Sequence, residues 1–151
     1  MKLSADKRSM RNPGARSSSS WSPPLSTPPP DQLRTAAAIL TAGSRVAVLA
    51  GQGALSAREE VTQLADVLGA PVAKALLGKA VLPDDSPFTT GGIGDLGTAP
   101  SSWAMQSCDT VLILGSTMPW EEYYPKPGQA RGVRSTSSPT VSVCVTQSRS
   151  A

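Results

Sequence analysis

The run from Val46 to Ala50, VAVLA, constrains this chain more than any other feature. It contains no polar side chain, and it runs straight into Gly51-Gln-Gly53. A strand with one wet face alternates apolar and polar residues. An unbroken apolar strand needs cover on both faces, which parallel sheets obtain from the helices of their crossovers. The flanking residues supply such helices. Before the run, Asp31 can cap a helix with apolar positions Leu33, Ala36, Ala37 and Leu40, stopped by Gly43. After it, Ser56-Ala-Arg-Glu59 reads as a capping box for a second helix, with Ala57, Val61, Leu64, Ala65 and Leu68 on one stripe and Gly69 at its end. Pro71–Ala75 then begins another strand. Strand, glycine turn, helix, strand is a βαβ unit, and the expected fold is α/β, an open parallel sheet with flanking helices.

The second half repeats the theme less regularly. Residues 77–87 read as a loop, residues 89–97 as a glycine-rich connection, and residues 100–107 as a short helix. Asp109–Gly115 is a clear buried strand, and residues 116–128, rich in Pro, Tyr and Glu, are expected over the sheet's carboxyl edge.

Charge separates the ends from the middle. Of the 151 residues, 1–30 carry five Lys or Arg and one Asp, 31–133 carry seven basic and ten acidic residues, and 134–151 carry two Arg and no acid. The basic balance therefore belongs to the ends, which argues against a folded nucleic-acid-binding face. Residues 1–30 also hold eight Ser and six Pro, the composition of a disordered arm or linker. With no His, imidazole bases, His-dependent triads and His-ligated zinc are excluded. Cys108 and Cys144 lack metal-ligand spacing and read as reduced thiols of a cytoplasmic protein. No apolar stretch approaches the ~20 residues of a membrane span, and no h-region follows the basic start.

Two glycine segments attract ligand readings. Gly51-x-Gly53-x-x-Ser56 is a near miss to the dinucleotide fingerprint, but Ser replaces the third glycine and no acid closes the second strand, where Lys74 stands instead. Gly94 and Gly97 bare the backbone at the carboxyl side of the sheet, and Gly115-Ser-Thr-Met-Pro119 offers backbone and hydroxyl donors at the same edge. Each is equally readable as an ordinary tight turn. Glu121 and Glu122 flank Trp120 in a loop and read as solvated, while Lys126 and Arg131 read as phosphate contacts or surface charges.

The strings LLGKAVLPDDSPFTTGGIGDLGT and CDTVLILGSTMPWEEYYPKPGQARGV resemble the central domain of thiamine-diphosphate-dependent enzymes, closest to the pyruvate oxidase and pyruvate:quinone dehydrogenase type and more distantly acetolactate synthase. The likeness covers residues 31–133 and includes AVLAGQGAL and LADVLGAPVAKALLGK. It implies a Rossmann-like NAD/FAD-binding-type domain, one of three in a homo-oligomeric enzyme. In flavin-using members FAD lies on a turn matching Gly94, Asp95, Leu96 and Gly97 and on a loop matching Gly115, Ser116, Thr117 and Met118. A further acidic contact comes from a strand after the segment matching 130–133, and here that strand is expected to be missing. Thiamine diphosphate and Mg²⁺ are implied for the other two domains, through a glutamate and a Gly-Asp-Gly segment; this chain has no Gly-Asp-Gly. No residue here is therefore assigned a catalytic or metal-binding role.

Residues 134–151, with six Ser and three Thr, break abruptly from the preceding composition, as a frameshift or truncated gene would produce. The expectation is a central-domain fragment of a 2-oxoacid enzyme, inactive alone, with a small nucleotide or flavin as ligand and neither nucleic acid nor membrane as partner. The alternatives are a stand-alone FAD- or nucleotide-binding module and a structural module without ligand.

Overall fold

The computed structural model describes residues 28–117, 121–135 and 141–142. Nearly all of the 1–30 arm, Met118, and most of the 134–151 segment lie outside these. Three helices and six strands follow one another: α1 Pro30–Thr41, β1 Val46–Ala50, α2 Arg58–Leu68, β2 Val72–Lys74, β3 Thr89–Gly92, α3 Ala99–Ser107, β4 Thr110–Leu114, β5 Arg131–Ser135 and β6 Val141–Ser142. They form one sheet in the order β3-β2-β1-β4-β5-β6. Strands β1 to β5 pair in parallel and β6 is antiparallel to β5.

Every residue of β1 is buried, as the VAVLA run requires. Its side chains alternate between two cores. Val46, Val48 and Ala50 join Val72 and Leu112 under α1 and α2, where Ile39, Leu40, Val61 and Ala65 cover them. Ala47 and Leu49 join Ala73 and Val111 on the other face, under Met105 and Cys108 of α3 and its end. At the amino edge the Asp109 carboxylate accepts the backbone N–H groups of Ser44 and Arg45, tying β1 to β4.

Several local expectations change. Helix α1 starts on Pro30 with Pro29 at its cap, so Asp31 sits inside the first turn and pairs with Arg34 instead of capping. Proline's fixed φ suits the first helical position and removes a donor that would otherwise need a cap. The capping box at Ser56 does not form: a 3-10 turn, Gln52–Ala54, precedes a helix whose cap is Ala57 and has no side-chain bond. Residues 89–92, expected as a connection, are strand β3. Thr-Thr-Gly-Gly offers no apolar pattern, and pairing to β2 makes it a strand, with a bulge between Val72 and Ala73. Arg131–Ser135 is strand β5 and pairs with all of β4, while the stretch after Val133, where a strand was expected to be missing, is described only at 134–135 and 141–142. Strand β5 is held by backbone pairing to β4 and β6, and of its residues only Val133 is buried.

Candidate functional site

Chain order reverses around β1: β2 and β3 lie on one side of it, β4 and β5 on the other. Open α/β sheets commonly bind ligands at such a switch, beyond the carboxyl ends of the strands. Here backbone fills that crevice. Gly51 N–H donates to Leu114 O at 2.8 Å and Gly53 N–H to Gly115 O at 2.9 Å. A Cβ on Gly115 would lie 2.5 Å from Ala54 N and from Gly53 Cα. The fingerprint-like turn thus spends its glycines and N–H groups on protein, and a smaller recess of about 230 Å³ remains beside α2.

The larger opening, about 770 Å³, lies one strand further out, at the carboxyl ends of β2 and β3. Lys74, the last residue of β2, is 2% exposed at its edge. Its Nζ donates to Leu82 O at 3.0 Å and to Asp84 Oδ1 at 2.5 Å. An isolated buried ammonium is costly, and these two acceptors offset part of that cost. In return the ammonium holds the Asp84 carboxyl below its usual range. A lysine has three protons to donate, and among the described residues the third has no acceptor.

Across the opening from Lys74 is the turn 94–97. Gly97 N–H closes it onto Gly94 O at 2.7 Å, and Gly94 sits at φ +114° with open space beside it. The N–H groups of Gly94, Asp95 and Leu96 have no acceptor among the described residues. Successive free N–H groups beside a positive-φ glycine make an anion-binding concavity.

The model of the thiamine pyrophosphate enzyme central domain matches residues 33–140, which spans the five parallel strands and both glycine segments. The chain belongs to that family. The Bacillus subtilis protein YdaP, assigned as thiamine pyrophosphate-containing, is 37% identical over 98 residues, 65% of this chain and 17% of that protein. A Methanocaldococcus jannaschii protein assigned as an acetolactate synthase large subunit is 34% identical over 88 residues, 57% of this chain and 15% of that protein. A solved Mycobacterium smegmatis structure, assigned as a thiamin diphosphate-dependent enzyme, superposes with TM-score 0.53 at 23% identity, covering 69% of this chain and 21% of that one. The chain thus spans about a fifth or less of these relatives.

As a thiamine pyrophosphate enzyme central domain, the molecule arranges the segments of interest unequally. Gly94, Asp95 and Leu96 line the large cavity, whereas Gly97 packs inside the turn, where a Cβ would meet Gly94 O at 2.7 Å. Gly115, Ser116 and Thr117 stand at the end of β4, three strand spacings from β3 with β2 and β1 between, a separation of ~14 Å at the usual strand spacing. They do not line that cavity. Gly115 is a packing glycine, and the carbonyls of Ser116 and Thr117 each accept Arg134 Nη2 at 3.1 Å. Met118 lies outside the described residues. On the 94–97 turn, Asp95 Oδ1 accepts the Tyr123 OH at 2.5 Å. That bond pushes the phenol's pKa up to about 12.

The remaining candidates stand elsewhere. Arg131 is at the amino end of β5 and donates to Ala42 O at 3.1 Å, on the edge opposite the cavity. Lys126 and Glu122 are exposed. Cys108 is buried, donates to Met105 O, and burial pushes its thiol up to about 11, the opposite of an activated nucleophile. Among the described residues no three His, Cys, Asp or Glu side chains converge as around a metal. Among the described residues the cavity offers N–H groups without an acceptor, the Lys74 ammonium and the volume of a small-molecule site. Lys74 and Asp84 were not singled out from sequence as site residues. The available signal was a lysine closing an otherwise apolar strand.

Proposed function

We propose that this chain acts as the nucleotide-holding central domain of a 2-oxoacid enzyme of the pyruvate oxidase type, with FAD as the ligand of the β2–β3 cavity. The observation that carries this is the turn at Gly94–Leu96, whose unpaired N–H groups share a cavity of about 770 Å³ with the Lys74 ammonium. Bound there, a flavin supplies an electron acceptor. The chain's own residues bind and orient: the turn and Lys74 receive anionic oxygens, and the exposed Leu76 and Leu96 at the rim offer apolar contact to a flat ring. Thiamine diphosphate and Mg²⁺ are assigned to parts of the relatives that this chain does not match, so the chain alone turns over no 2-oxoacid. Relatives of which it spans 15% and 17% support that division. We assign residues 1–30 to an inter-domain linker and residues 134–151 to a reading-frame change, on their composition.

Titrating FAD with the full chain and following flavin fluorescence tests the binding reading. Saturable quenching is expected, and its absence at 100-fold excess of protein over a micromolar flavin sinks the assignment. Turnover of pyruvate by the same preparation with added thiamine diphosphate and Mg²⁺ overturns the division of labour. Translating the gene beyond codon 133 in the other two frames tests the tail: absence of an acidic-apolar strand and of a downstream Gly-Asp-Gly in both frames refutes a frameshift.

A further inference from the structure

Three hydroxyls, of Thr90, Thr98 and Ser101, meet where the chain returns from β3 to α3. Ser101 is 0% exposed, in a joint where an alanine would avoid burying a polar group. Each hydroxyl proton nevertheless has its own acceptor. Thr98 Oγ1 donates to Thr90 O at 2.5 Å, and Thr90 Oγ1 donates to Val72 O at 3.3 Å. With those two protons placed, Ser101 Oγ donates to Thr90 Oγ1 at 2.8 Å. Thr98 Oγ1 also accepts the Ser101 N–H at 3.4 Å. Gly91 makes room for the cluster, since a Cβ there would lie 2.6 Å from Thr98 Cγ2. The adjoining turn has few ties of its own. Ile93 N–H donates to Lys74 O at 3.0 Å on the way out, and Thr98 N–H to Gly92 O at 2.9 Å on the way back. Between them, among the described residues, only Asp95 bonds to another element, through Tyr123.

We propose that Thr98 is the positioning residue of this turn. Its hydroxyl ties the return limb to β3 and, through Ser101, to the first turn of α3, which keeps the N–H groups of Gly94 to Leu96 gathered at the cavity wall. In this role Thr98 touches no ligand, because its proton is committed to Thr90 O. Fully satisfied polar networks rigidify and specify one arrangement. The turn cannot do this for itself: Leu96 is 93% exposed and Asp95 is exposed too, so neither anchors a side chain in the core. The hydroxyl cluster supplies from behind the rigidity that the glycines of the turn lack. This deepens the nucleotide reading of the cavity and rests on it.

The test compares the full chain with Thr98→Val, which keeps the shape and loses the hydroxyl, and with Thr98→Ser, which keeps the hydroxyl. Amide hydrogen exchange followed by NMR needs no ligand. The amides of Gly97 and residue 98 report opening of the turn, and those of Val48 and Leu112 report unfolding of the sheet. Thr98→Val should speed exchange at the turn about fivefold beyond any change in the sheet, and Thr98→Ser should restore it. Inorganic pyrophosphate, titrated against the same chains, should bind Thr98→Val about fivefold more weakly and Thr98→Ser within about twofold of wild type. Exchange that rises equally at the turn and in the sheet overturns the positioning role, since the hydroxyl would then serve the fold as a whole. Faster exchange at the turn with unchanged pyrophosphate affinity overturns it as well. A wild-type chain that binds no pyrophosphate removes the anion contact from the proposed function, and exchange at Gly97 and residue 98 still decides whether Thr98 holds the turn.

Discussion

Gly69 and Gly115 allow a controlled measurement, because they share a backbone conformation and differ in surroundings. Their φ angles are +58° and +59°. Gly69 ends α2, and a Cβ there meets nothing within 4 Å. At Gly115 the same Cβ falls 2.5 Å from Ala54 N and from the Cα and carbonyl carbon of Gly53. Gly69→Ala therefore pays for left-handed backbone alone, about 1–2 kcal/mol. Gly115→Ala pays that and also forces two strand-end turns apart, which at the usual cost of overpacking adds about 1–3 kcal/mol. Urea unfolding followed by far-ultraviolet circular dichroism measures both on the full chain. The expected order is wild type, Gly69→Ala, then Gly115→Ala, the last losing a large share of a domain stability that is typically only ~5–15 kcal/mol. Variants that unfold within ~0.5 kcal/mol of each other would refute the backbone contact between the β1 and β4 turns. The result also bears on the site. If Gly115 is a packing glycine, a bulky residue there destroys the fold before it reports on any ligand, so Asp95 and Lys74 are the cleaner probes.

Lys74→Met strands the buried Leu82 carbonyl and should cost about 1–3 kcal/mol in the same assay. It should also weaken FAD, and wild-type stability with unchanged affinity would remove Lys74 from the site. The Asp84 carboxyl is depressed in the folded chain, so its contribution is present above the usual carboxylate pKa and fades as pH falls through the lower folded value. Acid melting curves should show that loss in wild type and less of it in Lys74→Met; parallel curves would contradict the pairing. In a Cys144→Ser background, Cys108 should resist iodoacetamide at pH 8 until urea unfolds the chain, because its thiol titrates near 11 and is buried. Rapid native alkylation would show that α3 does not cover it. Thr98 accepts the Ser101 N–H at the start of α3, so Thr98→Ala should lower stability by ~1 kcal/mol, and no change would show that the cap is idle.

Much of the layout was legible because it depends on short-range pattern. Val46–Ala50 and residues 111–114 announce strands by unbroken apolarity, and Val61 and Ala65 mark the inward stripe of α2. The family likeness was legible over residues 31–133, close to the span 33–140 that the family model matches. Strand β3 was not, since Thr89–Gly92 has no hydrophobic period to read and is defined by its partner. The same holds for Val81 and Leu82, fully buried in a segment that reads as loop. Of the glycine segments, both drew attention for the same reason, bare backbone, yet they do opposite things. Gly115 spends that bareness on Gly53, while the N–H groups of Gly94 to Leu96 have no acceptor among the described residues.

The sequence by itself determined an α/β chain with a parallel sheet and the family to which it belongs. Apolar runs, helical stripes and glycine turns are local signals that need no partner to be recognised. Only the tertiary structure decided which glycine segment borders open space. It closed the crevice between β1 and β4 with backbone and opened a cavity between β2 and β3. It also brought Lys74 to Asp84 and Tyr123 to Asp95, pairs separated by 10 and 28 residues. Whether a glycine, a lysine or a carboxylate is free for a ligand depends on what the rest of the chain has already claimed from it, and that is a property of packing.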